Sequence, residues 1–163
     1  MPIAQELIDN LLARVSRPAR YIGNEWNSVH KTWEEVKVRM VFAFPDVYEV
    51  GMSHLGLQIL YGLVNQHRDY VMERVFAPWP DLENELKASR LPLFSLESKR
   101  GLNEFDVIGF TLQYEMSYTN LLNMLHLSGI PLHSHERGND QPLVIAGGPG
   151  SLNPEPLADF IDA

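Results

Sequence analysis

VKVRMVFAFPDVYEVGMSHLG, residues 36–56, joins an apolar strand to the beginning of an amphipathic helix. Residues 36–45 alternate at first and then become continuously apolar, which is typical of a strand buried on both faces of a parallel sheet. Leucine, isoleucine and valine then recur at helical spacing over residues 55–64. A buried strand that leads directly into an amphipathic helix predicts an α/β fold.

The same alternation continues to the end of the chain. Residues 69–78, 105–113 and 142–148 predict three more strands, and residues 79–89 and 118–129 predict helices between them. We therefore expect residues 36–163 to form a doubly wound, mostly parallel sheet of the flavodoxin-like or Rossmann-like kind. Such a sheet usually has a fifth strand, so the chain is expected to be a piece of a longer polypeptide that lacks this closing strand.

Both ends of the chain carry further patterns. Residues 1–35 are predicted to be an extension, with an amphipathic helix that ends before Pro18 and an extended arm or hairpin over residues 19–33. At the other end, residues 153–163 predict a helix with Asn153 as its N-cap and Pro154 in its first position.

Composition excludes several classes of protein. The formal net charge of −8 argues against a domain whose main partner is nucleic acid, because phosphate binding needs clustered lysine and arginine. The chain has no cysteine, so it cannot itself hold a disulfide or an iron–sulfur cluster. Its N-terminus lacks the apolar core of a secretory signal, and no apolar run approaches the ~20 residues of a membrane span. These features predict a cytoplasmic protein.

Three polar or glycine-containing turns follow predicted strands and are the candidate ligand site. In a doubly wound sheet such turns gather at the carboxyl ends of the strands, where ligands bind. Glycines there let the backbone approach a flat or bulky ligand closely. The candidate residues in these turns are Asp46, Tyr48, Gly51, Ser53, His54, Thr111, Gln113, Gly147 and Gly148.

Other interpretations of these residues remain open. His54 stands at the beginning of a helix, where it is either a ligand or a capping residue. On an extended segment His133 and His135 would face the same side, but no third metal ligand accompanies them. The glycine spacing fits neither the dinucleotide fingerprint nor a P-loop, and no self-sufficient catalytic centre is predicted.

Three long stretches carry a family resemblance: FPDVYEVGMSHLGLQILY, FDVIGFTLQYEMSYTNLLNML and VIAGGPGSLNPEPLADF. Together they resemble the cobalamin-binding domain at the N-terminus of cobalamin-dependent radical S-adenosylmethionine (SAM) proteins, and most closely a bacterial subfamily. The resemblance implies a module that holds cobalamin for a radical domain. That domain would use SAM and a 4Fe–4S cluster held by a C-x-x-x-C-x-x-C motif. We expect this partner domain beyond Ala163, so the chain alone should have no turnover.

The resemblance also assigns roles to single residues. The first loop of cobalamin domains reads D-x-H-x-x-G, and its histidine binds cobalt from below. Asp46, Tyr48 and Gly51 match this motif with tyrosine in place of histidine. A neutral phenol with a pKa of about 10 is a poor cobalt ligand. Three alternatives follow: cobalt has no protein nitrogen below it, His54 substitutes, or the fold has lost the cofactor.

The other two loops match more closely. Thr111 corresponds to a family serine that contacts the nucleotide tail of cobalamin, and Gly147 and Gly148 correspond to a double glycine beside that tail. The resemblance thus implies that the first-loop residues lie below the corrin ring, whereas Thr111, Gln113 and the glycine pair line the tail channel. The alternative functions are a cofactor-free docking module and, less favoured because the first loop lacks a run of hydroxyl side chains, a flavin-binding domain.

Overall fold

A four-stranded sheet with all strands parallel forms the centre of the computed structural model, which describes residues 1–163. The strands are β1 (Val38–Phe44), β2 (Tyr70–Phe76), β3 (Val107–Thr111) and β4 (Leu143–Gly147), in the order β2-β1-β3-β4. The strand order reverses between β1 and β3, which is the place where doubly wound sheets bind ligands. The predicted α/β fold class is confirmed.

Six α-helices surround the sheet. They are α1 (Gln5–Leu12), α2 (Ala19–Ile22), α3 (Tyr48–Met52), α4 (Leu55–Gln66), α5 (Pro80–Ser89) and α6 (Tyr118–Leu127). Proline in its first position and acidic residues in its first turn favour the beginning of α5. The chain leaves α6 through Gly129, whose φ of +67° glycine adopts readily. No helix combines the length and the apolar character that a membrane crossing requires.

The two faces of the sheet are covered unequally. Alternate strand residues point to opposite faces. One face, which includes Val41 and Ile108, packs against buried residues of α5 and α6 in the larger hydrophobic core. The other face packs Phe42 and Phe44 against α4 in a smaller core. Because α4 lies over β1 and β2, β3 and β4 remain partly open on this second face.

The N-terminal segment shares the larger core with the sheet. Ile8 and Leu11 of α1 are buried in it together with Val15 and Tyr21, so the predicted amphipathic helix is confirmed. Of the two alternatives for residues 19–33, an arm or a hairpin, the structure has an arm. Residues 19–22 form α2, and the arm that follows contains no strand. The arm makes hydrogen bonds to α4 instead: Lys31 Nζ donates to the backbone oxygen of Asn65 (2.8 Å).

The helix predicted for residues 153–163 is wrong. Residues 149–152 and 155–157 form short 3₁₀ turns, and Asn153 ends the first of them instead of being the N-cap of an α-helix. The end of this segment bonds to β4 rather than within a helix, and Ala146 N donates to Ala163 O (2.9 Å). The chain then runs beside β4, where Asp162 N donates to Val144 O (2.8 Å).

Candidate ligand-binding site

The turns after β1 and β3 are joined at the carboxyl edge of the sheet. The Tyr114 hydroxyl donates to Asp46 Oδ2 (2.6 Å), and Asn120 Nδ2 donates to the backbone oxygen of Pro45 (3.0 Å). The bond to Asp46 raises the pKa of Tyr114, because it stabilises the neutral phenol. Side chains from the turn after β3 and from α6 therefore fix the loop that follows β1.

Backbone bonds join the turns after β3 and β4 in the same way. Leu112 N donates to Gly147 O (2.7 Å), and Gly150 N donates to Leu112 O (2.8 Å). Tyr118 at the start of α6 adds a bond from its hydroxyl to Gly150 O (3.3 Å). All three predicted turns thus meet at one edge of the sheet, as the strand pattern predicted.

A mostly apolar cleft opens beside this edge, between α4 and the uncovered parts of β3 and β4. Its volume is about 630 Å³, within the ~300–1,000 Å³ that is usual for ligand pockets. Gly109 lies between Phe42 and Ile145 across the sheet and has no side chain, which opens the floor of the cleft. The lining residues are Met40, Phe42, His54, Gly56, Leu60, Val64, Met72, Gly109, Phe110, Thr111, Gln113, Ile145, Ala146, Gly147, Gly148 and Pro149.

Five of the predicted site residues line this cleft: His54, Thr111, Gln113, Gly147 and Gly148. Gln113 Nε2 donates to Thr111 Oγ1 (2.6 Å), so the two residues form one polar patch at the end of β3. The Thr111 hydroxyl accepts this bond and keeps its own proton as a donor. The cleft therefore combines apolar walls with a single polar end.

Glycine has a different role at each of the two positions that end β4, Gly147 and Gly148. Gly148 has a φ of +100°, and a Cβ there would lie 2.8 Å from the backbone oxygen of Leu112. Backbone conformation and packing both demand glycine at this position. A Cβ on Gly147 would meet nothing within 4 Å, so this glycine leaves open space at the cleft instead.

His54 is the N-cap of α4. Its Nδ1 accepts a hydrogen bond from Leu57 N (3.1 Å), and its ring packs against Phe44 with 5.4 Å between centroids. A neutral imidazole that accepts at Nδ1 carries its proton on Nε2. His54 therefore lines the cleft while the lone pair of its Nδ1 is used by the cap of α4.

Tyr48 does not line the cleft. Its hydroxyl donates to Glu25 Oε1 (2.9 Å), and its ring packs edge-on against Phe76 at 5.4 Å. Burial and the hydrogen bond to Glu25 raise the pKa of Tyr48 to about 12. The phenol is consequently neutral at pH 7, and it donates its proton in the hydrogen bond to the Glu25 carboxylate.

The remaining first-loop residues build the turn. Gly51 is buried, and a Cβ there would lie 2.2 Å from the ring of Phe76, so only glycine lets α3 pack this closely. The Ser53 hydroxyl donates to the backbone oxygen of Glu49 (2.8 Å). Like Asp46 and Tyr48, these two residues lie outside the lining of the cleft.

A buried ion cluster beneath α3 was not predicted. The fully buried Arg74 donates from Nε to Glu97 Oε1 (2.7 Å) and from Nη2 to Glu25 Oε2 (2.7 Å), and it lies over the Tyr61 ring. Burial lowers the pKa of Arg74, but Glu97 and Glu25 outweigh it and the pKa is raised. The signal in the sequence was an arginine inside the apolar strand YVMERVF, since buried charges require partners.

The structure contains no group of three histidine, cysteine or acidic side chains that could hold a metal ion. The rings of His133 and His135 lie 5.4 Å apart, but His133 stacks on Phe160 with 5.0 Å between centroids. This histidine pair therefore takes part in packing next to the chain's last residues.

Comparison with known proteins adds one finding. Neither the curated proteins nor the solved structures that were searched gave a match. A family model described as radical SAM proteins, N-terminal, matches residues 56–163. The match spans about two thirds of the chain and includes α4 except its first residue, all strands after β1 and two of the three turns that form the site. This chain therefore belongs to the family of N-terminal domains of radical SAM proteins.

Proposed function

We propose that this domain binds a corrinoid of the cobalamin type, with the nucleotide tail in the cleft, and holds it for a radical SAM domain of the same polypeptide. The cleft is the observation that carries the proposal. It lies beside the point where strand order reverses, and it brings together residues from the three predicted turns. Family membership supplies the radical SAM context.

The residues fit the tail of a corrinoid better than they fit its metal. The walls contributed by Leu60, Val64 and Ile145 suit a flat aromatic base, and Thr111 with Gln113 offers hydrogen bonds at one end. His54, the histidine that lines the cleft, already uses the lone pair of its Nδ1 to cap α4. Of the three alternatives for the first loop, this contact argues against substitution by His54, and we propose the one in which no protein nitrogen binds cobalt.

The chain's own residues would bind, orient and shield the ligand. The open space at Gly147 lets the backbone approach it, and α4 excludes water from one side of the tail. A corrinoid supplies methyl-transfer or radical chemistry to the protein that holds it. The SAM and the 4Fe–4S cluster would be held by cysteine-containing sequence outside this chain, which has no cysteine.

Retention of corrinoid tests the proposal. The protein is mixed with hydroxocobalamin or with cobinamide, which lacks the nucleotide tail, and is then separated from free ligand by gel filtration. We expect corrin absorbance to remain with the protein for hydroxocobalamin and to be at least about tenfold weaker for cobinamide, since the cleft contacts are lost. A colourless protein would contradict corrinoid binding. Equal retention of both ligands would contradict the tail channel.

A substitution in the floor of the cleft gives a sharper test. In Gly109→Val the new side chain extends toward Ile145, whose nearest atom lies 3.7 Å from the Cβ position, and fills space that the tail needs. Gly62→Val is the matched control, because Gly62 is exposed on α4 and its Cβ position has no neighbour within 4 Å. Corrinoid retention should fall in Gly109→Val alone.

A cofactor-free docking module is the second candidate function. Leu55, Ile59 and Leu63 form a stripe along α4 and are 71%, 50% and 52% exposed. Such a stripe is typical of a helix face that meets another protein surface. A protein that stays colourless with hydroxocobalamin would favour this candidate.

A further inference from the structure

The arm after α2 carries a carboxylate that reaches the first loop of the site. From the contacts around it, we infer that Glu25 is a positioning residue that holds Tyr48, and through it α3, at the rim of the cleft. Its effect on a ligand rests on the proposed function. Its effect on α3 does not.

Both carboxylate oxygens of Glu25 are used. Oε1 accepts from the Tyr48 hydroxyl (2.9 Å), and Oε2 accepts from Arg74 Nη2 (2.7 Å). The Glu25 side chain is only 17% exposed although the arm lies on the surface. A charged group bonded at both oxygens and shielded from water has one preferred position, so it orients its partners.

Arg74 fixes Glu25 from below. The Arg74 side chain is fully buried and makes its second ion pair with Glu97, whose side chain is 1% exposed. Arg74 therefore cannot turn toward solvent, and without Glu25 it would keep a single carboxylate partner. This demand for charge compensation in the interior holds Glu25 against the domain.

Two further contacts attach the arm to α4 and its C-terminal end. Val29 N donates to the Tyr61 hydroxyl (2.7 Å). Lys31 Nζ donates to the backbone oxygens of Asn65 (2.8 Å) and His67 (2.6 Å), where a cation satisfies carbonyl groups left without partners by the end of the helix. Glu25 is thus placed by several independent bonds before any ligand arrives.

A short path connects Tyr48 to the cleft. Tyr48 is the first residue of α3, and His54 N donates to Gly51 O (3.0 Å) at the helix's far end. Gln58 of α4 donates from Nε2 to Met52 O (3.1 Å), which joins the two helices. His54 lines the cleft. A shift of α3 would therefore move the imidazole at the rim.

Hydrogen exchange of the ligand-free protein tests this inference. Tyr48→Phe removes only the hydroxyl, and Glu25→Ala removes its acceptor. In both variants we expect exchange of the α3 amides of Val50 and Gly51 to accelerate about tenfold relative to the α6 amides, the effect of one lost charge-assisted bond. The double variant should match Glu25→Ala, because Tyr48→Phe removes no further bond once its acceptor is gone. Glu35→Ala, an exposed carboxylate on the same arm, should leave exchange unchanged.

Three outcomes would overturn the inference: unchanged α3 exchange in Glu25→Ala, equal acceleration in Glu35→Ala, or additive effects of Glu25→Ala and Tyr48→Phe. Tyr48→Phe decides the matter if Glu25→Ala does not fold. If the wild-type protein retains hydroxocobalamin, Glu25→Ala should also raise its Kd about tenfold, and an unchanged Kd would break the link to the ligand site. If the wild type retains none, the proposed function fails while the exchange result still decides the role of Glu25.

Discussion

Replacing Arg74 by methionine should be among the most damaging single changes in this protein. Methionine keeps much of the volume and the apolar stem of arginine but removes the charge. Glu97 then keeps its buried carboxylate and loses the guanidinium nitrogen 2.7 Å away, and Glu25 loses a partner at the same distance. Removing one member of a buried ion pair costs about 3–5 kcal/mol, because the charge left behind is unpaired in the interior.

The expected size of this loss can be checked against the stability of the whole domain. The free energy of unfolding of a protein domain is about 5–15 kcal/mol, so Arg74→Met should remove a large share of the stability. Each kcal/mol corresponds to about 2–4 °C in Tm for a protein of this length, so Tm should fall by about 6–20 °C. Urea unfolding and thermal melts at pH 7 measure both quantities. The double variant Arg74→Met/Glu97→Gln should recover at least half of the loss, since no unpaired charge remains on residue 97.

The pH dependence gives an independent test. Burial raises the pKa of Glu97, and the charge of Arg74 opposes that rise. In Arg74→Met the folded-state pKa of Glu97 should therefore lie further above its unfolded value of about 4.3. The folded state then binds the proton first, so the stability of Arg74→Met falls as pH rises through this window and increases on acidification from pH 7 to pH 5. A loss below about 1 kcal/mol, or a loss independent of pH, would refute the assignment of a buried ion cluster.

Two further predictions concern the turns of the site. Gly148→Ala should lower the free energy of unfolding by about 1–3 kcal/mol, because the φ of +100° is strained for alanine and the new Cβ meets Leu112 O. Gly147→Ala should leave the free energy of unfolding nearly unchanged in the same urea titration, because its Cβ meets nothing. Equal losses in the two would contradict the geometry of the turn. His54→Ala should lower the free energy of unfolding by about 1 kcal/mol, because Leu57 N loses its cap. His54→Asp should restore most of this stability, since aspartate also caps helices. A larger loss in His54→Asp than in His54→Ala would show that capping is not the main role of residue 54.

The sequence determined the fold class because the signals for it are local. The apolar run of β1 and the helical spacing in α4 and α6 each lie within about a dozen neighbouring residues. Local periodicity specifies which elements form, and parallel strands with helical connections allow few topologies. The convergence of the three turns followed from the same argument, since parallel strands place their carboxyl ends at one edge. The choice between an arm and a hairpin, and the last helix, which was wrong, both fell where proline, glycine and mixed polarity weaken periodicity.

Tertiary structure alone decided what each candidate residue does. Tyr48 and His54 stand six residues apart in one turn, yet one points to the arm and the other lines the cleft. Glu25 reaches Arg74 across 49 positions of sequence, and no local pattern encodes that pairing. Sequence periodicity records which side of an element is buried, whereas the partner of a buried charge is set by the packing of distant segments. That is why five of the residues that line the cleft could be named in advance, whereas the ion cluster that supports its rim could not.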